Sequence, residues 1–146
     1  KGTAFVEIFQ NCIVFNDGAY DAITDKSLRD DARLLLEHGK PLIYGKGRDK
    51  GVRLRGLEPE AVSLGERGVS EADLVVHDEA AEHGGLAFFL SQFDAPALPV
   101  PLGVFRAVSA PTYEEMNLQL HADAEARKGR GTPAGLFNSG DTWTIE

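Results

Sequence analysis

The chain has one cysteine, one methionine and one tryptophan in 146 residues. A single thiol makes no internal disulfide, so nothing points to an oxidising compartment. An iron–sulfur cluster as a rule takes several thiolates, and these residues alone cannot hold one. Positive charge is scarce too. The 15 Lys and Arg against 23 Asp and Glu leave a formal net charge of −8, which argues against nucleic acid, since phosphate binding wants a basic face. No apolar run approaches the length needed to span a bilayer, and no signal-peptide pattern opens the chain. No repeat recurs along it. Neither a Gly-Lys-Ser/Thr phosphate loop nor a Gly-x-Ser-x-Gly nucleophile elbow occurs, so nucleotide triphosphate binding and a serine-hydrolase triad have no support. The expectation is one small, acidic, soluble and cytoplasmic unit without membrane contact, able to fold alone if its strands are all present.

What the chain does have begins at its start. Thr3-Ala4-Phe5-Val6-Glu7-Ile8-Phe9 reads as a buried strand, running directly into a polar loop that holds Cys12. With no initiator Met and no approach loop before that strand, the chain reads as the C-terminal piece of something longer. Asp25-Lys26-Ser27 predicts a helix start, with Leu28, Ala32, Leu35 and Leu36 at helical spacing and Gly39 at the left-handed cap. Pro41–Tyr44 and Val52–Arg55 read as a hairpin around the loop Gly45–Gly51, and further strands are expected at 60–64, 73–77 and 103–108. Residues 85–93 predict a helix whose Leu86, Phe88, Phe89, Leu90 and Phe93 cover most of its circumference, which suggests burial on two sides. Between them, Ala95–Pro101 is an extended connector. Thr112-Tyr113-Glu114-Glu115 is a capping box opening a helix to about Arg127. Beyond it, residues 132–146 predict an arm whose Leu136, Phe137 and Trp143 bury against another surface.

Each residue with chemical capacity also has a bland reading. Taken alone, Cys12 is a packed small hydrophobe before it is a ligand. Gln10, Asn11 and Asn16 read equally as ordinary turn residues or as amide donors toward a sulfur. The loop Gly45–Gly51, with Lys46, Arg48 and Lys50, and Arg53 and Arg55 beyond it, gathers positive charge on an acidic chain. It reads first as a solvated hairpin and second as a docking patch for an acidic electron carrier or for the phosphates of CoA. His38, His77, His83 and His121 lack metal-ligand spacing and are expected in solvated or turn-satisfying roles.

The run Gly2-Thr3-Ala4-Phe5-Val6-Glu7-Ile8-Phe9-Gln10-Asn11-Cys12-Ile13-Val14-Phe15-Asn16-Asp17-Gly18 resembles the beta subunit of 2-oxoacid:ferredoxin oxidoreductases, the 2-oxoglutarate branch in particular. The resemblance continues through Leu36–Gly45, His77-Asp78-Glu79, Leu86–Leu90, Pro101–Arg106 and Ser139–Trp143, in family order and over nearly the whole chain. It implies an α/β fold that begins at the last strand of a thiamine-diphosphate-binding domain and continues into a mixed α+β extension. The implied divisions are 1–24 for that strand and the cysteine loop, 25–131 for the mixed region, and 132–146 for the arm. The implied cofactors are thiamine diphosphate, Mg2+ and a [4Fe-4S] cluster, all needing residues upstream of Lys1. Cys12 becomes the distant fourth cluster ligand, with Gln10, Asn11 and Asn16 near the sulfurs. The diphosphate site of such enzymes uses a Gly-Asp-Gly turn, which is absent from this chain. The implied reaction is oxidative decarboxylation of a 2-oxoacid to acyl-CoA with ferredoxin as acceptor. The implied partners are the alpha subunit, a second beta subunit and ferredoxin. A non-catalytic assembly or docking module is the alternative, and these residues alone are not expected to be active.

Overall fold

Leu34 decides the first departure from the helical reading. In the computed structural model, which describes residues 2–141, 143 and 145, the expected helix over 28–36 stops at Ala32. Two single turns form instead, α1 over Asp21–Thr24 and α2 over Arg29–Ala32, and the chain then extends into β1, Arg33–Leu35. The apolar run that follows α2 suits a buried strand as well as a helix face, and period alone does not separate them in so short a stretch. Partner availability does. β1 pairs in parallel with β5, Val100–Leu102, placing Leu34 opposite Pro101 with Leu34 fully buried. That pairing also relocates the strand expected at 103–108. Pro101 has no N–H to give, which is tolerable only in so small a sheet, and Gly103 at φ +133 turns the chain out after Leu102.

The expected hairpin forms. β2, Ile43–Tyr44, and β3, Lys50–Arg55, are antiparallel, and β4, Glu58–Ser63, adds to β3 through the turn at Gly56-Leu57. Gly51 sits mid-strand because Leu74 packs there: a Cβ at this position would lie 2.5 Å from Leu74 Cδ1. The stretch read as a strand at 73–77 makes a short 3-10 turn, Glu71–Asp73, followed by extended backbone threaded between neighbours. Val75 N donates to Val52 O at 2.9 Å, Leu42 N donates to Val75 O at 2.8 Å, and His77 N donates to Lys40 O at 2.9 Å. His77 is therefore not solvated, as the sequence suggested. It is 1 % exposed, and its Nε2 lies 2.8 Å from the Val104 carbonyl, which makes that nitrogen the protonated one. Nδ1 is left buried without a hydrogen-bond partner among the described residues.

The core is Leu34, Leu42, Val52, Leu90 and Phe93. α3, Gly85–Ser91, supplies Leu90, and Phe93 just beyond it meets Phe89 edge-on with ring centroids 4.9 Å apart. Only one side of α3 is buried, because Phe88 stays 68 % exposed. The expected capping box holds: Thr112 Oγ1 accepts from Glu115 N, and Glu115 Oε2 accepts from Thr112 N at 2.8 Å, opening α4, Tyr113–Lys128. Pro133–Phe137 forms a short α5, where Leu136 and Phe137 remain exposed, as does Trp143.

Helices and strands are thus mixed, as expected, and no helix among the described residues is long and apolar enough to cross a membrane. Residues 3–9 do not form the opening strand; they have no regular secondary structure, and Phe5, Val6 and Ile8 are exposed. A strand needs a neighbour to satisfy its backbone and cover its apolar face, and no described segment pairs with this one. Contacts group Glu7–Val108 into one unit and Lys1–Val6 with Ser109–Glu146 into another. The core of the first unit makes a direct prediction. Leu34→Ala should lower unfolding free energy by about 2–5 kcal/mol, whereas Leu57→Ala, at a site 93 % exposed, should change it by no more than about 0.5 kcal/mol. Denaturant titration of the two variants against the parent chain reads both values.

Candidate functional site

The Cys12 loop is closed twice. At its base the Asn11 side chain spans the loop: Nδ2 donates to Asp17 Oδ1 at 2.9 Å, and Oδ1 accepts from Gly18 N at 3.1 Å. Gly18 has φ +75, and a Cβ there would meet Asp21 Oδ2 at 3.0 Å, so glycine suits this close approach. At the tip Asn16 N donates to Cys12 O at 2.9 Å, folding Cys12–Asn16 into one turn. The backbone N–H groups of that turn act on the Cys12 thiol. Phe15 N–H is the strongest influence and Val14 N–H the next, with a small contribution from Asn16, and together they hold the thiol below its ordinary pKa. Hydrogen bonds to the charged form favour it, and the thiolate is the form that ligates metals and attacks electrophiles. Cys12 is free and exposed.

This arrangement differs in detail from the amides named in the sequence. Asn11 is occupied in bracing the loop, and Gln10 and Asn16 have exposed side chains without a hydrogen bond among the described residues. The groups that favour the Cys12 thiolate are main-chain N–H of residues 14–16. Residue identity carries no signal for them, because every non-proline residue has one. Only the shortness of the turn between Cys12 and Asn16 hints at their convergence.

A cluster ligand would fit Cys12 alone. Among the described residues no group of three or more His, Cys, Asp or Glu side chains converges on a point, so this chain offers one thiolate and the other ligands must come from elsewhere. A thiamine diphosphate site does not fit the residues present: Asn16-Asp17-Gly18 is used in the loop clamp. Beside the loop lies an open depression of about 610 Å³, lined by Phe9, Tyr20, Ile23, Phe93 and Phe105 with Glu7 and Asp94. Phe9 and Tyr20, which flank the cysteine loop in sequence, pack with ring centroids 5.2 Å apart.

Much of the positive charge gathered around the hairpin is matched. Lys50 Nζ is 2.8 Å from Asp31 Oδ1, Arg53 Nε is 2.9 Å from Glu60 Oε2, and Arg55 pairs with Glu58 at 3.7 Å. His38 Nδ1 lies 3.6 Å from Asp78 Oδ1 and accepts from Glu79 N at 3.3 Å, while His83 and His121 are exposed.

No family model matches the chain, and no solved structure matches it. Among curated proteins it is 32% identical over 149 residues to 2-oxoglutarate oxidoreductase subunit KorB of Mycobacterium tuberculosis (strain ATCC 25618 / H37Rv). The alignment covers 100% of this chain and 39% of KorB, so the chain spans about two-fifths of the length of that relative.

The N–H cradle makes Cys12 testable without any cofactor. The rate of its alkylation by iodoacetamide should rise through a midpoint below that of a cysteine in an unstructured peptide, because the folded turn favours the thiolate. Denaturation should move the midpoint up to the peptide value. A folded-state midpoint at or above that value would remove the cradle from the account.

Proposed function

Related along its whole length to the KorB subunit of a 2-oxoglutarate oxidoreductase, this chain, we propose, is part of the beta subunit of a 2-oxoacid:ferredoxin oxidoreductase that acts on 2-oxoglutarate. In the proposed reaction a 2-oxoacid, CoA and oxidised ferredoxin become acyl-CoA, CO2 and reduced ferredoxin in the cytoplasm. Thiamine diphosphate with Mg2+ supplies the decarboxylation chemistry and a [4Fe-4S] cluster the one-electron path, both bound with residues beyond this chain.

Cys12 carries the reading. It is the chain's one thiol, it stands exposed at the tip of a braced turn, and three backbone N–H groups favour its thiolate. In the proposed role its Sγ is one cluster ligand. The same N–H groups, directed at a ligand sulfur, stabilise the more negatively charged state and so raise the reduction potential. Asn11, by clamping Asp17 and Gly18, fixes where the turn presents that sulfur.

Exposed Phe5, Val6, Ile8, Ile13, Val14 and Phe15 support assembly with further protein. In the proposed enzyme that protein is the rest of the beta subunit, the alpha subunit and a second beta copy. The same exposure supports the second reading, in which these residues serve assembly and docking only.

Replacement of the ligand separates the two readings. Cys12→Ser in the complete subunit should lower its iron content or change the cluster's electronic spectrum, because a serine oxygen is a poor substitute for thiolate. A full iron complement with an unchanged spectrum would leave only the assembly role.

A further inference from the structure

The loop between β2 and β3 is a pre-shaped cationic tip. Gly45 N donates to Asp30 O at 2.9 Å and Arg48 N to Gly45 O at 3.0 Å. The Asp31 carboxylate grips the loop's far side by accepting from Lys50 Nζ at 2.8 Å, and it also takes the Lys46 N–H. Those contacts, the Lys50 bond above all, hold Asp31 below the usual carboxylate range. A Cβ on Gly45 would lie 2.8 Å from Asp49 Oδ1, so glycine here lets the Asp49 carboxylate fold into the loop. Leu64 N donates to Asp49 O at 2.7 Å, which brings the turn after β4, with Glu66 and Arg67, beside the tip.

One feature singles this end out and a second accompanies it. Arg48 and Arg67 are the non-glycine residues at positive φ among the described residues, at +52 and +50. Each conformation costs about 1–2 kcal/mol for a side-chain-bearing residue, and strain of this kind collects at functional positions. The second feature is charge. Lys50, Arg53 and Arg55 are matched by Asp31, Glu60 and Glu58. Lys46, Arg48 and Arg67 are exposed and make no ion pair among the described residues, as holds also for Lys26, Lys40, Arg127, Lys128 and Arg130, while Lys46 acts on Asp31 and Arg67 on Glu60 through their charge.

We infer that Lys46 and Arg48, with Arg67 beside them, are the docking tip for an acidic protein surface, that of the electron-accepting partner. The inference rests on the oxidoreductase reading and adds the place where the acceptor lands. A chain of net charge −8 repels an acidic partner, and Lys46 and Arg48, gathered on a loop backbone fixed by hydrogen bonds, lower that repulsion at the tip and so orient the encounter. A protein face with many carboxylates responds to such a field through its association rate. A small anion held by exposed lysine and arginine side chains gains little.

The test uses the complete enzyme, driven by 2-oxoglutarate and CoA, with an acidic ferredoxin or the small dye methyl viologen as acceptor. Lys46→Glu with Arg48→Glu should slow ferredoxin reduction about tenfold or more at low ionic strength, and the gap should close at high salt. Reduction of methyl viologen and the KM for CoA should stay unchanged. Arg48→Gly removes a charge and also relieves the left-handed backbone, so it should slow ferredoxin reduction while leaving thermal stability equal or higher. Ferredoxin rates unchanged at low salt would overturn the inference, as would a raised KM for CoA with the ferredoxin rate intact. A parent enzyme that reduces neither acceptor would instead refute the oxidoreductase reading on which the inference stands.

Discussion

A very small apolar volume holds the Glu7–Val108 unit together. Leu34, Leu42, Val52, Leu90 and Phe93 come from four stretches of chain spread between residues 34 and 93. Three backbone devices bring them together: β1 against β5 for Leu34, the threaded 75–77 segment for Leu42 and Val52, and α3 for Leu90 and Phe93. At about 25 cal/mol per Å² of apolar area, so few side chains leave little surplus over the entropy of ordering the chain. The loops that carry chemistry are accordingly fixed by local hydrogen bonds rather than by burial. Asn11 braces the Cys12 turn, and Asp31 braces the hairpin tip.

The two braced loops are alike in their physics. In each, one short polar side chain absorbs backbone donors or a cation, and what remains is an exposed reactive or charged side chain on a backbone of fixed course. For Cys12 the remainder is a sulfur facing the N–H groups of Phe15 and Val14. For the hairpin it is the pair Lys46 and Arg48, after Asp31 has taken Lys50. Backbone held this way has little further freedom to lose when the loop meets a partner, which favours binding.

Elements whose causes are local were legible in the sequence. The Thr112–Glu115 box specifies α4 because both halves of its hydrogen-bond exchange lie within one turn. The hairpin follows from turn residues flanked by apolar runs, and α3 from its apolar spacing. Elements whose causes are distant were not legible. Arg33-Leu34-Leu35 is strand rather than helix because Val100–Leu102 is available to pair with it, and residues 3–9 stay irregular because nothing described pairs with them. His77 reads as polar, yet it is buried, its backbone bonded to residues 39 and 40 and its Nε2–H donating to the Val104 carbonyl. At the site, Cys12 could be named from its singularity and its sequence block. The donors around it could not, since they are main-chain atoms.

In the proposed cluster role the Cys12 sulfur leaves solvent for iron when the proposed enzyme assembles. Mass-spectrometric mapping of alkylation tests it most directly, comparing the iron-loaded enzyme with the same enzyme after its iron is removed by oxidation and chelation. The account predicts that Cys12 is protected in the loaded enzyme and becomes reactive in step with iron release. Equal and rapid labelling of Cys12 in both states would contradict it.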